Sequence, residues 1–404
     1  MSAAPGYDST SSQKASAYAI VGADVALADR LLQRHAVVVE DGRIAGILPE
    51  DACDPGIARH RLEGGILAPG FIDVHVHGAA GSSFNDGDVS ATASAARAIL
   101  AAGVTTLLPT LASAAIPQLL QGLDAIREAS TLPDMPRFAG AHLEGPYFSS
   151  AQRGAQSEAH LRDPGDGSAD ALLARSAEIR MVSLAPELPG AVALIDRLVD
   201  HDIVAAAGHT DGTIDDLLRA QRAGLSHVIH LYSGQSTTKR EGPWRVPGML
   251  EASLASDDLT VELIADGKHL PPALMTIAYR ALGDRLCLVS DATSGAGMPD
   301  GSRYRMGPSE YLVDNGVGVT LDRSSFGGST TLLPAMLPIA RNVLGIGAIE
   351  AIAMVSSVPA RAARLENVGE IALGAHADLV HLNDRLEVLA VARDGLWNAG
   401  RNHH

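Results

Sequence analysis

Two histidines spaced two apart, His75 and His77, stand in the apolar stretch Phe71-Ile72-Asp73-Val74-His75-Val76-His77. An extended chain alternates its side chains between two faces, so both imidazoles would share a face and offer converging neutral nitrogens to a divalent cation. Further along come Glu144, in His142-Leu143-Glu144-Gly145-Pro146, His209, in Ala207-Gly208-His209-Thr210-Asp211, and His230, in Val228-Ile229-His230-Leu231-Tyr232. A carboxylate leaving a buried strand is costly unless paired, and a metal ion is the obvious partner. Glu144, His209 and His230 together make a His₂Glu set, which can hold a catalytic zinc and leave a position open for water. Taken singly, each histidine has a plainer reading as a hydrogen-bonded residue at the rim of a core; their combination with Glu144 is what singles them out. His142 could ligate, orient a ligand or pack.

Asp291, in Val289-Ser290-Asp291-Ala292-Thr293, has the chemistry to take a proton from a metal-activated water and pass it to a leaving group, since metal binding brings the water's pKa from 15.7 to about 7. The competing reading is a helix N-cap. His269, in Asp266-Gly267-Lys268-His269, is suited to bind substrate or polarise a carbonyl.

Elements that would bring these residues together are legible as apolar runs at 70–76, 104–109, 137–143, 181–185, 203–207, 227–231, 260–265 and 286–290, separated by Ala/Leu-rich helical stretches. Eight strand–helix repeats predict an α/β fold, a closed (β/α)₈ TIM-type barrel. Each candidate lies at or just beyond the C-terminal end of a different strand, and in a barrel those ends meet on one face. At either end of the chain the texture is β-rich, with Asp41-Gly42 and Asp394-Gly395 as hairpin signals. The expected organisation is a disordered tail at 1–17, a small β-sandwich domain built from both chain ends (18–68 with 370–404), and the barrel at 69–369.

The formal net charge of −16 argues against a nucleic-acid or anionic-membrane partner, and no apolar run approaches a bilayer span. Cys53 and Cys287 are the only cysteines and do not form a CxxC pair, so neither a disulfide framework nor a thiolate metal site is expected. The Ser/Ala-rich start lacks the pattern of a signal peptide. A cytoplasmic protein with a small-molecule substrate is the expectation. His403 and His404, a tag remnant or native, are not site candidates. The only lysines are Lys14, Lys239 and Lys268, so no carbamylated lysine on the fourth strand can bridge two metals, and Glu144 is the candidate bridge.

The ordered motifs at 69–78, 142–146, 208–211, 230–232, 264–269 and 289–293 resemble the amidohydrolase superfamily and, within it, the N-acetylglucosamine-6-phosphate deacetylase family. The resemblance implies a homodimer that deacetylates an amino-sugar phosphate. Glu144, His209 and His230 would hold the principal divalent metal, and His75 and His77 a second, with Glu144 bridging. That makes one or two ions per chain, zinc first among zinc, iron, manganese and cobalt. Asp291 would be the general base and acid, and His269 would contact the acetyl carbonyl.

Departures from the family pattern fall in the substrate loops. The family's Asn-Ala-Met after His-Leu-Tyr is Ser233-Gly234-Gln235 here, and its Arg-Gly-Ala-His reads Arg153-Gly154-Ala155-Gln156. Ser233, Gly234, Gln156 and a basic residue, Lys239 or Arg240, with Arg245 as another possibility, are the substrate-binding candidates. The family supplies such a loop arginine across the dimer. The competing substrates are an unphosphorylated N-acyl amino sugar or an N-acyl-amino acid; a non-catalytic protein on this scaffold should have lost metal ligands.

Overall fold

A computed structural model of the chain describes residues 17–307 and 309–397. The proposed tail and the terminal histidines lie outside them.

Eight parallel strands form the barrel. They are β1 (Phe71–Val76), β2 (Val104–Ala112), β3 (Arg137–Phe138, continuing as Ala141–Glu144), β4 (Ile179–Leu184), β5 (Val204–Ala207), β6 (His227–Val228), β7 (Thr260–Leu263) and β8 (Leu286–Leu288). Neighbours pair in chain order from β1 to β8. The ring closes through a bridge between Val76 and Ala292, with Asp291 N–H donating to the His75 carbonyl at 2.9 Å. Every residue of β1 and β2 is buried, as expected where helices cover a parallel sheet on one side and barrel side chains fill the other. The helix Ile214–Arg222 shows the outer layer's logic: Leu217 and Ala220 face inward while charged residues face water.

Two excursions were not anticipated from the sequence. An exposed hairpin, Lys239–Glu241 with Trp244–Val246, follows β6. A three-stranded antiparallel sheet, Arg303–Met306, Ser309–Asp314 and Val317–Thr320, follows β8 and leans over the catalytic face.

The ends of the described chain build two further sheets. One has four strands drawn from Tyr18–Val21, His35–Glu40, Arg43–Pro49 and Ala58–Arg61. The other combines Asp24–Ala26, Leu31–Leu32 and Ile66–Pro69 with Leu379–Leu382, Val388–Arg393 and Leu396–Trp397. Ile20, Val39 and Ile44 from the first share a core with Leu67 and Leu379 from the second. Both Asp-Gly pairs form the turns the sequence predicts, with φ of 49° and 75° at Asp41-Gly42 and 47° and 75° at Asp394-Gly395, the left-handed pair of a type I′ hairpin.

Candidate metal centre and active site

Strand ends deliver the site, and at three of them the backbone is forced into the left-handed region: φ is 44° at His209, 25° at His230 and 45° at Asp291. Non-glycine residues hold such angles only where surrounding structure over-determines them, and they concentrate at functional sites. The turns end β6 and β8 sooner than the sequence predicts, end β5 at Ala207 as predicted, and carry the side chains over the barrel mouth.

Glu144 sits between two histidine pairs. His209 Nε2 and His230 Nε2 are each 3.0 Å from its Oε1. His77 Nε2 is 3.5 Å from its Oε2, and His75 Nε2 is 3.7 Å from Oε1. Two ligand groups result, His75–His77–Glu144 and Glu144–His209–His230, each with its ligand atoms within 4.8 Å of one another. Asp291 Oδ1 faces the first group, 3.3 Å from His77 Nε2 and 3.7 Å from His75 Nε2.

The donor set fits a metal. His209 Nδ1–H donates to the Gln152 carbonyl at 2.9 Å, which leaves Nε2 as the lone-pair nitrogen. His75 Nδ1 donates to Glu262 Oε2 at 2.8 Å, while its Nε2, fully buried, has no partner. A buried ring nitrogen left unsatisfied is expensive, and the carboxylate–histidine arrangement behind it is the one that orients metal ligands. Burial alone would lower the His75 pKa; the charge and hydrogen bond of Glu262, with Asp291 and Glu144 adding to them, raise it to about 10. Burial would raise Glu144, but hydrogen bonds and charge from the surrounding histidines hold it well below the usual carboxylate range. Asp291 is lowered against its burial by the His77 hydrogen bond and the nearby histidine charge.

His142 lies outside both ligand groups. Its Nδ1–H donates to the Val74 carbonyl at 3.1 Å and its Nε2 accepts from Ser183 Oγ at 2.6 Å. Both nitrogens are used, and burial pushes its pKa well down.

A cavity of about 310 Å³ opens above the site, lined by His77, Glu144, His209, His230, His269 and Asp291 together with Gln156, Ser233 and Gly234. The structure therefore gathers all these sequence candidates and places His75 directly beneath. It does not bring Lys239 or Arg240 to the pocket of their own chain: both are exposed on the hairpin, Lys239 pairing with Asp211 at 2.7 Å and Arg240 donating to the Gly242 carbonyl. No lysine or arginine lines this pocket among the described residues.

Sequence reasoning missed Glu262, which accepts from His75, from His227 Nε2 at 3.0 Å and from His230 N–H at 3.0 Å. The signal was available, since Glu262 interrupts an apolar strand just as Glu144 does. Also missed was Asp266, whose Oδ2 accepts from His269 Nδ1 at 2.7 Å and so orients the ring. Phe326, 4.5 Å from His269 between ring centroids, forms part of the pocket wall.

With this geometry in place, comparison with known proteins decides the family. Residues 66–397 match the amidohydrolase family, and residues 17–67 match the NagA composite domain. The chain belongs to the amidohydrolase family. Within it, the chain is 33% identical over 387 residues to the N-acetylgalactosamine-6-phosphate deacetylase of Shewanella sp. (strain ANA-3), covering 94% of each chain. It is 32% identical over 340 residues to the N-acetylglucosamine-6-phosphate deacetylase of Vibrio furnissii, covering 83% of this chain and 82% of that one. A mutant N-acetyl-D-glucosamine-6-phosphate deacetylase from Mycobacterium smegmatis, solved in complex with N-acetyl-D-glucosamine-6-phosphate, superposes with a TM-score of 0.87 at 32% identity, over 95% of this chain and 99% of that one. This amidohydrolase is thus a hydrolase of amide C–N bonds that uses a divalent metal.

Proposed function

We propose that the protein hydrolyses the N-acetyl group of an amino-sugar phosphate, N-acetylglucosamine-6-phosphate or its galactosamine epimer, to acetate and the free amine. The observation that carries this reading is Glu144 held between two histidine pairs with Asp291 facing it across the mouth of the cavity. Glu144, His209 and His230 would hold one ion, and His75 and His77 with Glu144 a second. Neutral imidazoles and a carboxylate suit zinc, and also iron, manganese or cobalt. When bound, the metal supplies Lewis acidity to the amide carbonyl and lowers the pKa of water.

The chain's own residues do the rest. Asp291, kept ionised, accepts a proton from the attacking water and delivers it to the departing nitrogen, so that water is added across the C–N bond and no other reactant is needed. His269, fixed through Nδ1 by Asp266, presents its other ring nitrogen to the acetyl oxygen. Ser233 and Gly234 line the space for the sugar.

A phosphate is best held by a cationic side chain, and no lysine or arginine among the described residues lines the pocket. The reading therefore includes a homodimer in which a second copy's hairpin brings Lys239, Arg240 or Arg245. The same observation favours the second reading, an unphosphorylated N-acyl amino sugar or an N-acyl-amino acid. We place the protein in the cytoplasm on the strength of its two free, buried cysteines; no helix of the described residues is long and apolar enough to cross a membrane.

Amine release from N-acetylhexosamine 6-phosphates, their unphosphorylated forms and N-acetyl-amino acids, measured with a defined metal, tests both readings. Higher kcat/KM on the phosphorylated sugars supports the first, and the reverse order supports the second. No release from any N-acyl compound sinks both.

A further inference from the structure

Gln156 is a substrate candidate by its place in the chain, yet its amide is already spent. Nε2 donates to Glu144 Oε2 at 2.5 Å, and Oε1 accepts from Ser113 N–H at 3.0 Å. Gln156 is buried at 7% exposure, and both ends of its amide are pinned, which fixes the orientation of the group. The loop carrying it is anchored in turn: Tyr311 donates from the three-stranded sheet to the Ala155 carbonyl at 3.1 Å, and Arg153 donates to the Gln156 carbonyl at 3.1 Å.

The oxygen that Gln156 grips is the one that faces His77; the other oxygen faces His209 and His230. A free carboxylate rotates about its last torsion and can turn both oxygens to one side. We infer that Gln156 is a positioning residue for the metal centre: its amide locks the Glu144 carboxylate with Oε2 toward His77 and Oε1 toward His209, His230 and, at 3.7 Å, His75, so that Glu144 can serve both ligand groups at once. An amide suits this task because it donates without carrying a charge or titrating, and so leaves the carboxylate its negative charge. Groups that orient metal ligands in this way are commonly worth about 10–100-fold in metal affinity.

The inference rests on the metal-site part of the proposed function and not on its substrate. It is tested by zinc affinity, measured by chelator competition on metal-stripped protein, with KM at saturating zinc and melting of the metal-free protein as companion readouts. Gln156→Leu, which keeps the bulk but removes the amide, should weaken zinc binding about 10–100-fold and leave KM unchanged, with some fall in the metal-free melting temperature because the buried Ser113 N–H loses its acceptor. Gln156→His, which retains an N–H donor, should bind zinc more tightly than Gln156→Leu. Unchanged zinc affinity with a raised KM would make Gln156 a sugar contact and overturn the inference. Equal zinc loss in the Leu and His variants would also overturn it. Failure of the deacetylase reading would appear as no amine release from any substrate while the zinc result stood.

Discussion

Glu262 and His75 show how one buried pair prepares a site for metal. Both side chains are fully buried, and the Glu262 charge keeps a proton on Nδ1 of His75 so that Nε2 points its lone pair at the centre. In the metal-free protein a second proton competes for that lone pair. Because the folded pKa of His75 is raised to about 10, the protonated pair stabilises the metal-free fold fully below the ordinary histidine pKa of about 6.5, and that contribution is lost as pH rises through about 10. A divalent cation bound there must displace this proton. Affinity at the His75–His77 group should therefore rise with pH through the neutral range, by about tenfold per unit where one proton is released per ion; titrations at several pH values check the slope, and a flat profile would show that His75 is already neutral. Asp291 makes a separate prediction. Asp291→Asn removes the proposed proton acceptor without removing any member of the two ligand groups, so kcat should fall by about 10²–10⁴-fold while zinc content stays that of the parent.

At the scale of elements, the segment Phe326–Ser329 holds Asp291 from one side, opposite the bond from Asp291 N–H to the His75 carbonyl. Ser329 N–H donates to the Asp291 carbonyl at 2.8 Å, and Thr293 N–H donates back to the Ser329 carbonyl at 3.0 Å. Between them Gly328 has φ +80°, and a Cβ there would lie 2.5 Å from Thr293 Cγ2 and 2.9 Å from the Asp291 carbonyl oxygen. Gly328→Ala must therefore push this segment off Asp291. It should lower kcat by up to about 10²-fold, the cost of a misplaced catalytic group, with zinc content retained; an unchanged kcat would show that the segment yields without moving Asp291. None of this was legible from one chain. The eight strands were legible because buried parallel strands are continuous apolar runs, and the two hairpins because Asp-Gly has a backbone reason to turn. His209, His230 and Asp291 were found by residue type, but their left-handed angles come from tertiary contacts that no local pattern encodes. Arg303-Tyr304-Arg305-Met306 does alternate outward and inward, a strand signal that was present, but nothing local says which face of the molecule it will cover. The Lys239–Val246 hairpin has no buried side to give a pattern.

Across the whole molecule, the catalytic face and the β domain sit at opposite ends of the barrel. The site is built at the C-terminal ends of the strands. The β domain is tied to the other end: Gly70 N–H donates to the Asp378 carbonyl at 2.7 Å, and Arg137, at the start of β3, pairs with Asp394 at 2.8 Å. Both chain ends meet there because Ile66–Pro69, which runs directly into β1, pairs antiparallel with Leu379–Leu382. The sequence shows that both ends are β-rich, whereas their pairing depends on a register set more than 300 residues apart. In barrels of this kind the N-terminal face serves stability and the C-terminal face serves chemistry. Leu379, fully buried in the core shared with Ile20, Ile44 and Leu67, tests that division. Leu379→Ala should cost about 2–5 kcal/mol through lost burial and the cavity left behind, read as a lower midpoint of chemical or thermal unfolding. Zinc affinity and kcat/KM, measured well below the new midpoint, should match the parent, because the lesion lies across the full depth of the barrel from Glu144. A fall in kcat/KM with the protein still folded would mean that strain at the shared sheet travels along β1 to His75 and His77, and that the β domain positions the site as well as stabilising the fold.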